Sequence, residues 1–186
     1  MLIEKKEKKC IEYSVNVYID FEAYSDKNKQ HIAYLCCFDL DEIKAKCSPT
    51  KHAFYGNDCG FDMLCYLEKI YNALKNKLNL EPKTRLNFNL IAHNASYDFN
   101  FIVRHLIIHK QIANGKNVYA SIGMFKKMHL YVKDSYKMIS SPLRDFGEIF
   151  KLDQEKECMP YNIYNEETIN KVFYKIEDLK NNTTND

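Results

Sequence analysis

Glycine and proline are scarce, with five and four in 186 residues, and tryptophan is absent. Five glycines supply neither a G-x-G-x-x-G turn nor a G-x-x-x-x-G-K-[ST] loop, which excludes a dinucleotide fingerprint and a phosphate-cradling P-loop. No apolar run approaches the ~18 residues of a membrane-spanning helix. The opening MLIEKKEKKC lacks the apolar stretch of a signal peptide. The seven cysteines, at 10, 36, 37, 47, 59, 65 and 158, form no C-x-x-C and no paired Cys/His spacing. A disulfide framework and a structural zinc site are therefore not expected; free thiols in a reducing, intracellular compartment are. Which such compartment is not distinguished by these features. Without a secretory route, the sequons at Asn94-Ala95-Ser96 and Asn181-Asn182-Thr183 have no physical use. Charge of one sign is also missing: the formal net charge is +2. Bulk charge thus neither argues for nor excludes a nucleic-acid partner.

What is present is an ordinary globular composition, 46% hydrophobic and 28% charged, in a chain of one-domain length. From Tyr13 the pattern alternates. Val15, Val17, Ile19 and Phe21 share one face, while Ser14, Asn16, Tyr18, Asp20 and Glu22 share the other, which predicts a half-buried strand. Strands are also expected at 31–38, 51–55, 86–92, 118–122 and 128–132, with a hairpin turn in SDKNKQ and a turn at Asn114-Gly115. A helix is expected over 61–78 with Phe61, Leu64, Leu67, Leu74 and Leu78 inward. A second starts near Tyr97 with Phe99, Ile102, Val103 and Leu106 inward. Ser141-Pro142 predicts a short helix through Phe150, with Ser as N-cap and Pro at N1. Strands first, then strands alternating with helices, give an α/β domain with a mixed sheet flanked by helices. Three divisions are expected: a charged arm (1–12), a domain (13–161) and a polar C-terminal segment (162–186).

One residue separates Asp20 from Glu22. On a strand this places both carboxylates on one face, ~7 Å apart. Such a pair suits a hard divalent cation. Asp98 follows the strand LIA (90–92) in the first turn of a helix, where open sheets place their ligands. If the strands are neighbours, three carboxylates converge, and a two-ion clamp for phosphodiester hydrolysis becomes possible. Plainer readings stand beside this one. D-x-E on a strand occurs by chance, an Asp early in a helix complements its dipole, and Asn94 or Ser96 can simply cap the helix.

YIDFEAY (18–24) resembles the Exo I motif of the proofreading exonuclease of family B DNA polymerases, and HNASYDF (93–99) resembles Exo II. KDSYKMISSPLRDFGEIFKL (133–152) and KECMPY (156–161) resemble later segments of the protein-primed branch. The resemblance runs over 18–161 and implies an RNase H-like fold of the DEDD exonuclease type. It implies that Asp20, Glu22 and Asp98 hold two Mg²⁺ or Mn²⁺ ions. Asn94 and Tyr97 would grip the 3′-terminal nucleotides of single-stranded DNA, Tyr97 by stacking. Lys156 would contact the scissile phosphate or steady the carboxylates, against the plain alternative of a solvated lysine. Tyr161 would support that segment. Tyr24 borders the groove or is an exposed turn tyrosine. The family also has Exo III, Tyr-x-x-x-Asp, bearing a fourth carboxylate. Tyr174 and Asp178 have that spacing; otherwise Exo III is expected downstream of a truncated chain.

The palm motifs D-x-x-S-L-Y-P, K-x-x-x-N-S-x-Y-G and Y-x-D-T-D-S are absent from the sequence. The resemblance therefore implies the N-terminal proofreading exonuclease portion of a DNA polymerase acting in replication, of viral, linear-plasmid or self-synthesising-transposon type. Its expected partners are a single-stranded DNA 3′ end, a polymerase domain in cis or missing, and a terminal protein primer; no membrane is expected. Alternatives are a non-catalytic nucleic-acid-binding remnant and a DEDD-type RNA exonuclease.

Overall fold

The computed structural model describes residues 11–41, 50–79, 84–115, 117–153 and 165–169. Its frame is a seven-stranded mixed sheet in the order β3-β2-β1-β4-β7-β6-β5. The strands are β1 (Ile11–Ser25), β2 (His31–Leu40), β3 (Lys51–Tyr55), β4 (Thr84–Ala92), β5 (Ile107–Asn114), β6 (Asn117–Phe125) and β7 (Met128–Asp134). The helices are α1 (Cys59–Lys77), α2 (Ala95–Ile102) and α3 (Phe146–Phe150), with short 3-10 turns at 103–105, 135–137 and 143–145. β1, β4 and β7 run parallel; the other neighbours are antiparallel. This is an α/β, RNase H-like fold.

Alternation in β1 builds the core as expected. Val15, Val17, Ile19 and Phe21 are buried, and they meet Phe88 and Leu90 of β4 and Cys36, Phe38 and Leu40 of β2. Full burial of such side chains stabilises the fold by ~1.5–3 kcal/mol each. Helix α1 lays Met63, Leu64, Leu67, Tyr71 and Leu74 on this face. Tyr71 meets Phe88 edge-on at 5.6 Å and donates its hydroxyl to the Leu86 carbonyl. Phe61 was expected in that stripe but is 40% exposed. The helix begins earlier, at Cys59, and turns its inward face to Met63 and Tyr71 instead. Gly60 lets the start of α1 touch the end of α2: an added Cβ would stand 3.2 Å from the Phe101 carbonyl oxygen and 3.3 Å from the Phe21 ring.

The second helix is shorter than its apolar spacing suggests. It ends at Ile102, passes through a 3-10 turn, and leads at Ile107 into β5, a strand that periodicity does not reveal. The reason is burial: seven of the eight residues of β5 are exposed and Ile108 alone is half-buried, so no inside face is written into IIHKQIAN. Two capping expectations also fail. Ser141 is not an N-cap; Pro142 occupies that position, and the first turn after it is 3-10 rather than α. Asn94 sits at the N-cap of α2 but makes no side-chain cap bond. Ser96 turns away to β6, donating to the Val118 carbonyl and accepting from the Val118 amide.

Candidate active site

β1 changes partner along its length. Ile11 to Tyr18 pair with β4, and Val17 to Ser25 pair with β2. The parallel ladder ends at Tyr18↔Ile91 because β4 stops at Ala92 and turns into α2. The edge of β1 beyond Tyr18 thus loses its strand neighbour on one side. Asp98 takes the vacated position: its Oδ1 accepts from the Phe21 amide at 3.0 Å. Asp98 is 4% exposed. Asp20 and Glu22 flank Phe21 in sequence and project from the opposite face, Asp20 exposed and Glu22 half-buried.

The three carboxyl groups feel one another. Burial, then the charge of Asp20 and to a smaller extent that of Glu22, push the Asp98 carboxyl up to about 7, while the Phe21 amide bond pulls the other way. The same field reaches β2. Cys37, the cross-strand partner of Asp20, is raised by burial and then by Asp20 and Glu22. Cys36 is raised mainly by burial, with smaller contributions that include Asp98 and Asp20. Cys36, Cys37, Cys59 and Cys65 are free thiols.

Asp20 and Glu22 line a cavity of about 1090 Å³ together with Tyr24, His31, His93, Asn94, Tyr97, Tyr136, Leu143 and Asn165. Among the described residues no lysine or arginine lines it. Paired hard oxygen donors of this kind suit a divalent metal. Among the described residues, no group of three His, Cys, Asp or Glu side chains stands as a ready metal cage. Mg²⁺ does not require one, because it keeps several waters and is held through one or two carboxylates plus substrate phosphate.

The far wall of the cavity is the β4–α2 corner. Asn94 adopts a left-handed backbone (φ 63°, ψ 48°), a conformation that asparagine tolerates better than most residues. Asp134 at the end of β7 holds this corner: its Oδ1 accepts from the Asn94 amide at 2.9 Å and from the Tyr136 amide at 3.0 Å. Ser135 donates its hydroxyl to the Ala92 carbonyl and lies 3.2 Å from His93 Nδ1. His93 meets Tyr136 and Phe146 edge-on, both at 5.4 Å. The Tyr97 hydroxyl lies 2.9 Å from His31 Nδ1, and its ring meets Phe101 edge-on at 5.2 Å.

Asp20, Glu22, Asn94, Tyr97 and Asp98 are thus brought to one end of the sheet, and Tyr24 borders the same cavity. Lys156, Tyr161, Tyr174 and Asp178 lie outside the described residues. Sequence reasoning missed His31, His93 and Asp134. His93 and Asp134 lie inside quoted motifs, HNASYDF and KDS, but without a reason to assign them roles. His31 carries no local signal, since only the β1–β2 register brings it beside Tyr97.

The sequence model of the family described as DNA polymerase type B, organellar and viral, matches residues 83–185, more than half of the chain. A comparison with curated protein sequences finds no match. Among solved structures, Phi29 DNA polymerase complexed with primer-template DNA and incoming nucleotide substrates is similar with TM-score 0.55 at 13% identity, over 91% of this chain and 28% of that one. Phi29 DNA polymerase complexed with single-stranded DNA gives TM-score 0.54 at 14% identity, over 80% and 25%. The chain therefore spans about a quarter of the polymerase chains that it matches. No helix among the described residues is long and apolar enough to cross a membrane. A fold shared at such low identity and a family match over more than half of the sequence agree, and the chain belongs to the organellar and viral type B DNA polymerases.

Proposed function

We propose that this chain is the 3′–5′ exonuclease part of a protein-primed family B polymerase. In this reading it hydrolyses the 3′-terminal phosphodiester of single-stranded DNA during replication. The observation that carries the reading is the Asp98 carboxyl held at the edge of β1 and coupled to Asp20 and Glu22, beside a cavity lined by tyrosine, histidine and asparagine. Like charges so placed raise the Asp98 carboxyl, and a perturbed carboxyl beside a cleft is a candidate for a functional site. Asp20 and Glu22, with Asp98, would hold Mg²⁺ or Mn²⁺. When bound, two such ions lower the pKa of an attacking water and stabilise the leaving oxygen.

The chain's own residues supply the rest. Tyr97 presents a ring to a terminal base, steadied by Phe101 on its edge and by His31 at its hydroxyl. Asn94 offers its side chain to the groove from a backbone fixed by Asp134. The Phe21 amide holds the buried Asp98 carboxyl through Oδ1, so that its place is set by the edge of β1. Lys156, Tyr161 and Asp178 would complete the site from beyond the described residues. The polymerase domain and a terminal protein would be its partners.

Mg²⁺-dependent degradation of a 5′-labelled single strand tests the reading. Asp20→Ala/Glu22→Ala is expected to lose at least a hundredfold in rate while still binding DNA. Equal degradation by the variant and the wild type would remove the site assignment. A wild type that binds single strands with steep salt dependence but turns over none with Mg²⁺ or Mn²⁺ is a binding remnant instead. Faster attack on RNA than on DNA makes it an RNA exonuclease.

A further inference from the structure

A second cavity of about 480 Å³ adjoins the first and shares Tyr24 with it. Its other walls are Tyr34, Tyr55, Gly56 and Asn57 from the β2–β3 end of the sheet, and Glu166 and Ile169. The two cavities are continuous in sequence as well, since Asn165 lines the first and Glu166 the second. Resting on the nuclease reading, we propose that this tyrosine cradle is a second subsite for the same single strand. It takes a nucleobase upstream of the terminal nucleotide.

Three features of the cradle suit a base. Tyr24 and Tyr34 stand 6.4 Å apart, tilted by 42°. They are brought together by an irregularity in the β1–β2 ladder: Glu22 pairs with Leu35 and Ala23 with Ala33, which leaves Tyr34 as an extra residue on β2. A bulge of this kind redirects a side chain, here toward the groove. Tyr55 lines the same cavity and is 75% exposed, which leaves its ring open to a partner. Gly56, at φ 97°, bends the chain immediately after Tyr55, and its amide donates to the Tyr34 carbonyl at 2.8 Å. The position of Tyr55 is therefore tied to that of Tyr34 through the backbone. Glu166 decides which part of a nucleotide fits. A carboxylate repels phosphate but accepts hydrogen bonds from the exocyclic amino groups of adenine, cytosine and guanine. The cradle thus selects the base and leaves the phosphates to solvent. Stacking tolerates any base, so the subsite lengthens the grip on a strand without reading its sequence closely.

The test compares a trinucleotide with an octanucleotide of deoxyadenosine, bound in EDTA so that no hydrolysis interferes. The readout is competition against a labelled strand, with the Mg²⁺-dependent degradation rate of the trinucleotide measured alongside. For Tyr55→Ala the expected result is a loss of about 5- to 150-fold in octanucleotide affinity, with trinucleotide affinity and degradation unchanged. Tyr55→Phe, which keeps the ring, is expected to match the wild type. Equal octanucleotide affinity for Tyr55→Ala and the wild type overturns the subsite, as does an equal loss at both lengths. If the wild type degrades the trinucleotide but gains no affinity with length, the subsite fails and the nuclease reading stands. If the folded wild type neither binds nor degrades either strand, both fail.

Discussion

The two halves of β1 differ in what holds them. Ile11 to Tyr18 lie against β4, and Val15 and Val17 within them have no solvent exposure. Ile19 to Ser25 lie against β2 instead, and beyond Tyr18 the side that β4 has left is met by the Asp98 carboxylate. The first half is a core strand. The second keeps the same inward alternation at Ile19 and Phe21 but gives its outward residues to Asp20 and Glu22. The lesson is that the site begins where a parallel ladder stops. An edge held by a neighbouring strand offers no room for a side chain, and the edge that β4 leaves needs one.

Breaking the first half is expected to cost the most. Leu90, fully buried and opposite Val17, should on replacement by alanine lose about 2–5 kcal/mol in denaturant unfolding. The proposed nuclease activity should persist below the melting temperature. The second half should respond in the opposite sense. Asp98 ionises near the ordinary value of 3.8 when unfolded but near 7 in the fold, so the fold binds its proton more tightly. Its contribution to stability is intact below about pH 4 and is lost as pH rises through 7. Asp98→Asn keeps an acceptor for the Phe21 amide and removes the charge. At pH 8 without metal it is expected to raise stability by about 2–4 kcal/mol and to flatten the pH dependence of unfolding. It should also abolish degradation. A wild type equally stable at pH 4.5 and pH 8 would contradict the coupling.

The corner that closes the site should be intermediate. Asp134→Ala strands the Asn94 and Tyr136 amides and is expected to cost about 1–3 kcal/mol. On the proposed function, DNA affinity should fall more than the rate at saturation, because the corner would position Asn94 against the strand. Among the described residues Asp134 Oδ2 has no hydrogen-bond partner, so the oxygen at Oδ1 carries the effect. His31→Ala should be smallest in stability, about 0.5–1.5 kcal/mol or less, since the contact with the Tyr97 hydroxyl is exposed. A measurable rise in KM with little change in melting temperature would show that His31 acts through Tyr97.

What was legible in the sequence follows this division. The alternation of β1 announced its inward face and, with it, the shared outward face of Asp20 and Glu22. The apolar run before Asn94 located the end of β4, and so the place of Asp98. Two kinds of feature could not be read. One is structure without an inside: β5 is exposed along nearly its whole length and has no hydrophobic period to betray it. The other is contact across distant segments. The bond from Asp98 to Phe21 spans 77 residues, and that from Asp134 to Asn94 spans 40. The cap expectations failed for a related reason. Ser96 has the right chemistry for a cap, but a strand 22 residues away offers both an N–H and a carbonyl, and these won.

The extra residue in β2 has a consequence for how this sheet tolerates change. Up to Leu35 the two strands keep one phase, and after Tyr34 they keep another. Pairing Tyr34 with Ala23 would make the ladder regular, yet it would slide the whole SDKNKQ hairpin and His31 one step along β1. The irregularity therefore works as a vernier. It sets the distance between the carboxylate end of the strand and the hairpin beyond it, and a more regular sheet would be a misaligned one.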